Sequence, residues 1–92
     1  KSLNEIFDDK KIEKCNLLKL DCEGSEYEII DNLEDKNFEK IEKMIIEYHL
    51  ADSHPELLKK LKNKLKMKMY KISIEPLFDN IGFLYAIKKN KN

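Results

Sequence analysis

The sequence predicts an α/β fold, in which helices alternate with the strands of an open sheet. Two observations support this prediction: four apolar runs have the length of strands, and three other stretches repeat apolar residues at helical spacing. The predicted order is helix, strand, helix, strand, helix, strand, strand. Strands joined through a helix pair in parallel with right-handed crossovers, whereas the last two strands, joined by a turn, form an antiparallel hairpin. We therefore expect one domain at most, built on about half of an open sheet.

The composition excludes several classes of partner. Charged residues make up 39% of the 92 residues, well above the roughly 25% of an average domain, so the excess is expected at the surface. The 18 acidic residues balance the 18 basic residues, so the chain has no net charge that would attract nucleic acid. All of the basic residues are lysines, so the chain has no guanidinium group to bind phosphates or guanine in a bidentate way. No stretch approaches the roughly 20 apolar residues of a membrane span, and we expect no signal peptide before Lys1. We expect a cytoplasmic protein that binds neither nucleic acid nor membrane.

The first helix and the first strand are predicted near the start of the chain. Ser2 and Glu5 have the spacing of a capping box, in which both side chains accept from backbone N–H groups at a helix start. Apolar residues follow at helical intervals, so this helix is expected over residues 3–8. Residues 17–22 form a short apolar run whose polar members lie on one side, which predicts a strand.

A second helix is predicted directly after that strand. Gly24 breaks the apolar run, and Ser25 and Glu28 again have capping-box spacing, so the helix is expected to run from Ser25 to about Leu33. One side of it should pack on the sheet, and this side consists of Glu26, Ile29, Ile30 and Leu33.

The middle of the chain predicts one helical turn and a second strand. Residues 34–43 are charged, with Phe38 and Ile41 as the apolar anchors of a single turn. Residues 44–49 are too continuously apolar for an exposed sheet face, which favours a buried parallel strand. A loop is expected over residues 50–55.

The longest helix is predicted after that loop. Ser53 and Glu56 have a third capping-box spacing, and Pro55 is tolerated in a first helical turn. Because no aromatic residue interleaves the lysines on its polar side, we expect a solvated face rather than a binding patch. The apolar stripe consists of Leu57, Leu58, Leu61 and Leu65, and the solvated side of Lys59, Lys60, Lys62, Lys64 and Lys66.

Two strands complete the predicted sheet. From Met69 the apolar period changes to two, which predicts a third strand that Pro76 is expected to end. Residues 77–80 are predicted to form a turn, and residues 81–87 a nearly all-apolar fourth strand before a frayed tail.

Polar side chains follow the first two strands where each one ends. Asp21 and Glu23 lie at the carboxyl end of the first strand, beside a predicted helix start, which is where open α/β sheets bind ligands. His49 ends the second strand, and an imidazole can accept a proton near neutral pH. Together these residues predict a site at one edge of the sheet.

The residues around this predicted site resemble a known family. Residues 18–26, Leu-Lys-Leu-Asp-Cys-Glu-Gly-Ser-Glu, resemble the Leu-Lys-x-Asp-x-Glu-Gly-x-Glu signature of FkbM-type S-adenosylmethionine-dependent methyltransferases. Residues 45–49 look like the family's next strand, which ends in Glu-x-His, and residues 82–86 are similar to its final strand. The resemblance covers essentially the whole chain and fixes five residues at set spacings, namely Lys19, Asp21, Glu23, Gly24 and Glu26.

The resemblance implies a fold and an activity. The fold would be a Rossmann-like class I methyltransferase sheet in the order 3-2-1-4-5-7-6, with this chain as its C-terminal half, supplying strands four to seven. Residues 1–92 would then be a single partial domain without the glycine-rich loop and first three strands that hold most of the cofactor. The implied activity is transfer of a methyl group from S-adenosylmethionine to a hydroxyl of a small molecule or glycan, and the chain alone is expected to be inactive.

The site residues can be given roles in that chemistry. Methyl transfer to a hydroxyl needs donor and acceptor in line and a group that accepts the released proton. We hypothesise that Asp21 and Glu23 position the cofactor or acceptor, that His49 is the base and that Glu47 orients it; Cys22 joins Asp21 and Glu23 in the cofactor contacts. The plainer alternatives are Asp21 as a helix cap and His49 as a hydrogen-bonded strand end.

Two further interpretations concern cysteines, metals and Glu26. Cys15 and Cys22 are expected to be free thiols, since neither has a Cys or His at metal-ligand spacing. Asp21, Glu23 and His49 are metal-ligand types, but their spacing is weak evidence, so no metal site is predicted. Glu26 is expected to be structural, because a carboxylate in a first helical turn is stabilised by the helix dipole.

A second function class competes with the enzyme. An apolar edge strand invites pairing, so residues 17–22 predict a non-catalytic half-domain that associates with a partner, with the missing N-terminal half or with a second copy of the chain.

Overall fold

The computed structural model describes residues 2–21 and 23–89. No helix in this part of the chain is long and apolar enough to cross a membrane. The predicted α/β class and the order of elements are confirmed, with the predicted single turn forming the short helix α3. The elements are α1 (Leu3–Asp9), β1 (Leu18–Leu20), α2 (Glu26–Asn32), α3 (Asp35–Phe38), β2 (Lys43–Tyr48), α4 (Pro55–Met67), β3 (Tyr70–Phe78) and β4 (Ile81–Lys88).

The four strands form one mixed sheet in the order β1-β2-β4-β3. β1 and β2 pair in parallel, while β4 runs antiparallel to both of its neighbours. The expected parallel pairing of β2 with β3 across α4 is wrong, because β4 lies between them; the predicted β3–β4 hairpin is confirmed. This order is consistent with part of the methyltransferase sheet that the resemblance implies.

One face of the sheet contributes most of the core. Along β2 and β4, alternate residues are buried, whereas the residues between them are half-buried or exposed. The expectation of a wholly buried β2 is therefore too strong, since Ile45 and Glu47 on its other face are only half-buried. α2 and α4 pack against each other and the sheet. The buried apolar residues are Phe7, Leu20, Ile30, Leu33, Phe38, Ile41, Met44, Ile46, Tyr48, Leu61, Leu65, Tyr70, Leu84 and Ala86.

Of the three predicted capping boxes, one forms. The Ser2 hydroxyl accepts from the Glu5 N–H, and the Glu5 carboxylate accepts from the Ser2 N–H, each at 3.1 Å. The Ser25 box is wrong: Ser25 has helical dihedral angles (φ −81°, ψ −11°) and makes no capping hydrogen bond. The Ser53 box is also wrong, because His54 precedes the helix, and Asn80 Oδ1 accepts the Ser53 N–H at 2.8 Å.

Two strands differ in length from the prediction. β1 is shorter than residues 17–22, since its ladder covers only the three residues paired with β2. β3 continues through Pro76, which was predicted to end it, and Pro76 lies opposite Gly82 with a register shift before Phe78. Proline is tolerated there because β3 is the edge strand of the sheet and its missing N–H leaves the ladder little changed.

Candidate functional site

Three polar side chains meet where β1 and β2 end. Leu20 pairs with Ile46, so Asp21 follows β1 alongside Glu47, and His49 comes directly after β2. One ligand atom from each of Asp21, Glu47 and His49 lies within 4.8 Å of the other two. Parallel pairing is the cause, because it brings the carboxyl ends of both strands to one edge. We call this set the strand-end cluster.

The imidazole of His49 lies between two carboxylates. Its Nδ1 is 3.2 Å from Glu26 Oε2, and its Nε2 is 3.2 Å from Glu47 Oε2. The side chain of His49 is 14% exposed, whereas that of Glu26 is fully buried. The hypothesised Glu47 contact is present, but on the Nε2 side, and a second carboxylate that the hypothesis did not include orients the ring from Nδ1.

Glu26 joins the turn after β1 to the end of β2. Its Oε1 accepts the Gly24 N–H at 2.8 Å, and its Oε2 accepts the backbone N–H of His49 at 2.8 Å. Hydrogen bonds to a charged group contribute about 1.5–3 kcal/mol each, which offsets the cost of burying the carboxylate. Glu26 is thus more than a charge near a helix dipole: it positions His49.

The sequence did carry a signal for Glu26. On the side of α2 that was predicted to face the sheet, Glu26 is the one acid beside three apolar residues. Charged side chains are almost never fully buried unless they are paired. An acid placed in an apolar stripe predicts a buried partner, although the partner's identity depends on the tertiary fold.

The turn that presents Glu26 requires an unusual backbone. Glu23 and Gly24 both have positive φ, of 46° and 106°. A Cβ at Gly24 would lie 3.6 Å from the nearest side chain, an ordinary contact, so the conformation rather than space favours glycine there. This conformation directs the Gly24 N–H back to Glu26 two residues later.

Tyr27 fixes the main chain at His49 from the next position of α2. Its hydroxyl donates to the His49 carbonyl oxygen. Burial, together with the nearby charge of Glu26, raises the pKa of Tyr27 to about 12, so the phenol remains a donor over the physiological range. The backbone of His49 is therefore held on both sides by α2.

Asp21 and Glu47 interact directly within the strand-end cluster. A hydrogen bond to Asp21, with smaller effects of burial and of the Asp21 charge, raises the pKa of Glu47, while His49 opposes the shift. In the described part of the chain, no lysine lies within 4.0 Å of either carboxylate. The carboxylates of the strand-end cluster are therefore not paired with a lysine of the described residues.

The remaining predicted site residues lie outside the strand-end cluster. Glu23 is exposed in the turn and contributes no atom to it, and Cys22 lies outside the described residues. Asp21 makes no capping hydrogen bond to α2, whose nearby Gly24 N–H is taken by Glu26. Cys15, as expected, is a free thiol.

A separate cavity lies between α2 and α4. It has a volume of about 310 Å³ and apolar walls that include Ile30, Leu57 and Leu61. Lys60 and Asp31 on its rim are 4.0 Å apart, so their charges are paired. None of the strand-end cluster lines this cavity.

Most of the chain matches a known protein family. Residues 1–77 match the family model described as the methyltransferase FkbM domain. No curated protein and no solved structure gave a significant match. The matched range contains the whole strand-end cluster and Glu26.

Proposed function

The chain belongs to the FkbM methyltransferase family, and from this premise we propose that it takes part in methyl transfer from S-adenosylmethionine to a hydroxyl group. The observation that carries the proposal is the family match over residues 1–77. The geometry agrees with it, since acids and an imidazole converge where open α/β sheets bind their ligands.

The side chains at the strand ends suit a positively charged ligand. Asp21 and Glu47 offer carboxylates that no lysine of the described residues neutralises. S-adenosylmethionine, when bound, supplies a methyl group on a positively charged sulfur. In this proposal Asp21 faces the cofactor or the acceptor, with Glu23 on the rim of the same turn. Cys22, which lies between them in the sequence, remains a proposed cofactor contact.

The strand-end cluster is also the proposed proton acceptor. A hydroxyl oxygen that takes a methyl group must release its proton, and a nearby base accelerates that step. His49, held at Nδ1 by Glu26 and facing Glu47 through Nε2, is the proposed base, with the proton shared along the His49–Glu47 contact.

Cofactor binding tests the proposal. Calorimetry on the native polypeptide that contains residues 1–92 should detect binding of S-adenosylmethionine and of S-adenosylhomocysteine. Asp21→Asn should weaken binding of the cationic S-adenosylmethionine by about tenfold, the effect of losing about 1.4 kcal/mol of charge interaction, and should affect the neutral-sulfur product less.

The matched control is Glu28→Gln, which changes an exposed acid of α2 outside the strand-end cluster. It should leave both affinities unchanged. The proposal would be contradicted if neither ligand bound, or if Asp21→Asn and Glu28→Gln lowered the affinity for S-adenosylmethionine equally.

A second candidate function is association through β1. Within the described residues, β1 is bonded along one side only, to β2, and Leu17 beside it is 51% exposed. Next to it, α1 and α2 form a mainly apolar groove that includes Leu3, Ile29 and Leu33. An unpaired strand edge with apolar neighbours is a template for a further strand.

Hydrogen exchange and sedimentation test this second candidate. Association through β1 would give a dimer or a complex in which the amides of residues 18–20 exchange slowly. A monomer whose residues 18–20 exchange as fast as the exposed loop residues would exclude it.

A further inference from the structure

The hydrogen bonds of His49 leave a lone pair aimed at a carboxylate. Both oxygens of Glu26 accept backbone N–H groups, which favours Glu26 as the acceptor and His49 Nδ1 as the donor of their contact. In a neutral imidazole the other nitrogen, Nε2, then carries the lone pair. This lone pair faces Glu47 Oε2 at 3.2 Å, and Asp21 offers a further oxygen beside them.

Three electron-pair donors that face one another repel unless a cation lies between them. A proton can fill this role. The same arrangement is what a metal ion requires, and the charge of two carboxylates with a neutral imidazole matches a divalent ion. We propose that Asp21, Glu47 and His49 bind a divalent metal ion through one atom each.

The distances fit this proposal. Around an octahedral ion with bonds of about 2.1 Å, neighbouring ligand atoms are about 3.0 Å apart and opposite ones about 4.2 Å apart. The observed 3.2 Å between Glu47 Oε2 and His49 Nε2 is close to the spacing of neighbouring ligands. All three ligand atoms lie within 4.8 Å of one another, so a small side-chain movement would bring them to the spacing of opposite ligands or closer.

Glu26 lies where metal sites commonly have a carboxylate that contacts a ligand histidine but not the ion itself. A metal-binding imidazole commonly donates its other N–H to a carboxylate, which fixes the tautomer and the ring orientation. Glu26 does this from a fully buried position. Asp21 is exposed, so the remaining coordination positions face solvent. Imidazole with carboxylates suits Mn²⁺ or a similar first-row ion.

The metal site differs from the proposed base in one respect. An ion on Nε2 excludes proton transfer to that atom, so in the metal-bound form the hydroxyl proton would leave to solvent. Use of the ion to acidify an acceptor hydroxyl rests on the proposed function. Binding of the ion does not.

Binding of Mn²⁺ alone tests the proposal. Calorimetry and the loss of the free-ion electron paramagnetic resonance signal should show one ion per chain. Asp21→Asn and Glu47→Gln should each weaken binding by about tenfold or more, and Glu26→Gln by about 10–100-fold. Glu42→Gln, the same change at an exposed acid before the start of β2, is the control and should leave the affinity unchanged.

A second measurement needs no variant. The chain has two histidines, and Mn²⁺ at well below one equivalent should broaden the ring resonances of His49 more strongly than those of exposed His54. Equal broadening of both rings, no binding up to about 1 mM Mn²⁺, or a Glu47→Gln affinity equal to that of Glu42→Gln would overturn the proposal.

The outcomes separate this proposal from the proposed function. Mn²⁺ binding without S-adenosylmethionine binding would retain the metal site and remove the methyl-transfer role. S-adenosylmethionine binding with no effect of Mn²⁺ on the His49 ring would do the reverse.

Discussion

Gly82 in β4 lies opposite Tyr48 of β2 and Pro76 of β3. A Cβ at this position would overlap the Tyr48 ring and hydroxyl and would lie 2.8 Å from the Glu75 carbonyl oxygen. The backbone oxygen cannot move without disturbing the β3 ladder. Only a residue without a side chain fits between these groups, so this glycine serves the close packing of the sheet.

Gly82→Ala should therefore destabilise the fold. We expect the free energy of unfolding to fall by about 1–3 kcal/mol, the usual cost of overpacking a tight site. Urea denaturation measures it. Ser73→Ala, at an exposed position of the neighbouring strand, is the control and should change stability by less than about 0.5 kcal/mol. Equal midpoints for the two variants would contradict the packing argument.

Glu26 supports a second prediction, about stability rather than binding. In Glu26→Gln one oxygen becomes an NH₂ group, which must face an N–H donor from either Gly24 or His49. Two opposed donors in a buried site leave both unsatisfied, so we expect a loss of about 1–3 kcal/mol in the free energy of unfolding. Denaturant titration checks this loss against Glu28→Gln in the same helix. A difference below about 0.5 kcal/mol would mean that the amide finds other partners.

The helix starts show how far local sequence determines an element. All three Ser-x-x-Glu spacings are equivalent in sequence, yet only that of Ser2 forms the box. At α2, the turn through Glu23 and Gly24 leaves Ser25 in helical rather than extended geometry. At α4, Asn80 from the β3–β4 turn takes the N–H of Ser53. A contact from a distant segment thus replaces the local cap at α4, whereas the preceding turn prevents it at α2.

Serine-to-alanine variants distinguish these helix starts. Ser2→Ala removes a hydroxyl that accepts from Glu5, and we expect it to cost about 0.5–2 kcal/mol. Ser25→Ala removes no capping hydrogen bond and should cost less than about 0.5 kcal/mol. Thermal or urea unfolding of the two variants makes the comparison. A larger loss for Ser25→Ala than for Ser2→Ala would contradict the assignment of the caps.

The sequence predicted the elements better than the contacts between them. Periodicity identified every strand and helix, because alternation and helical spacing are local properties. The position of β4 between β2 and β3 followed from the family resemblance and not from the connection lengths. At the strand-end cluster, His49 and Asp21 were predicted from their places after strands. The role of Glu26 was not, since a contact between residues 26 and 49 depends on α2 packing beside the end of β2.

At the scale of the whole molecule, the two sheet faces differ. One face carries the core under α2 and α4, and the other carries half-buried aromatic side chains such as Phe83 and Tyr85, whose ring centroids are 6.2 Å apart. The tyrosines lie on both faces. Tyr70 extends from β3 beneath α3, where its hydroxyl donates to the carbonyl oxygens of Phe38 and Ile41. These contacts tie the sheet to the chain segment that leads into β2.

All four tyrosines therefore titrate differently from free tyrosine. Burial raises the pKa of Tyr70 and of Tyr48, and raises that of Tyr27 to about 12, while a hydrogen bond to Glu75 raises the pKa of Tyr85. The unfolded chain, with tyrosine pKa values of about 10, loses these protons first. The stability they contribute is thus fully present below about pH 10 and is lost as the pH rises from there towards about 12 and above.

An alkaline titration of the phenolate absorbance tests this at the level of the fold. The folded chain should have fewer than half of its tyrosines ionised at about pH 10, whereas the chain in guanidinium should be near half-ionised there. The free energy of unfolding, measured in parallel, should decline above about pH 10, and Tyr27→Phe should reduce that decline because it removes one of the shifted groups. Half-ionisation at about pH 10 with an intact circular dichroism spectrum would show that the tyrosines are not held as described.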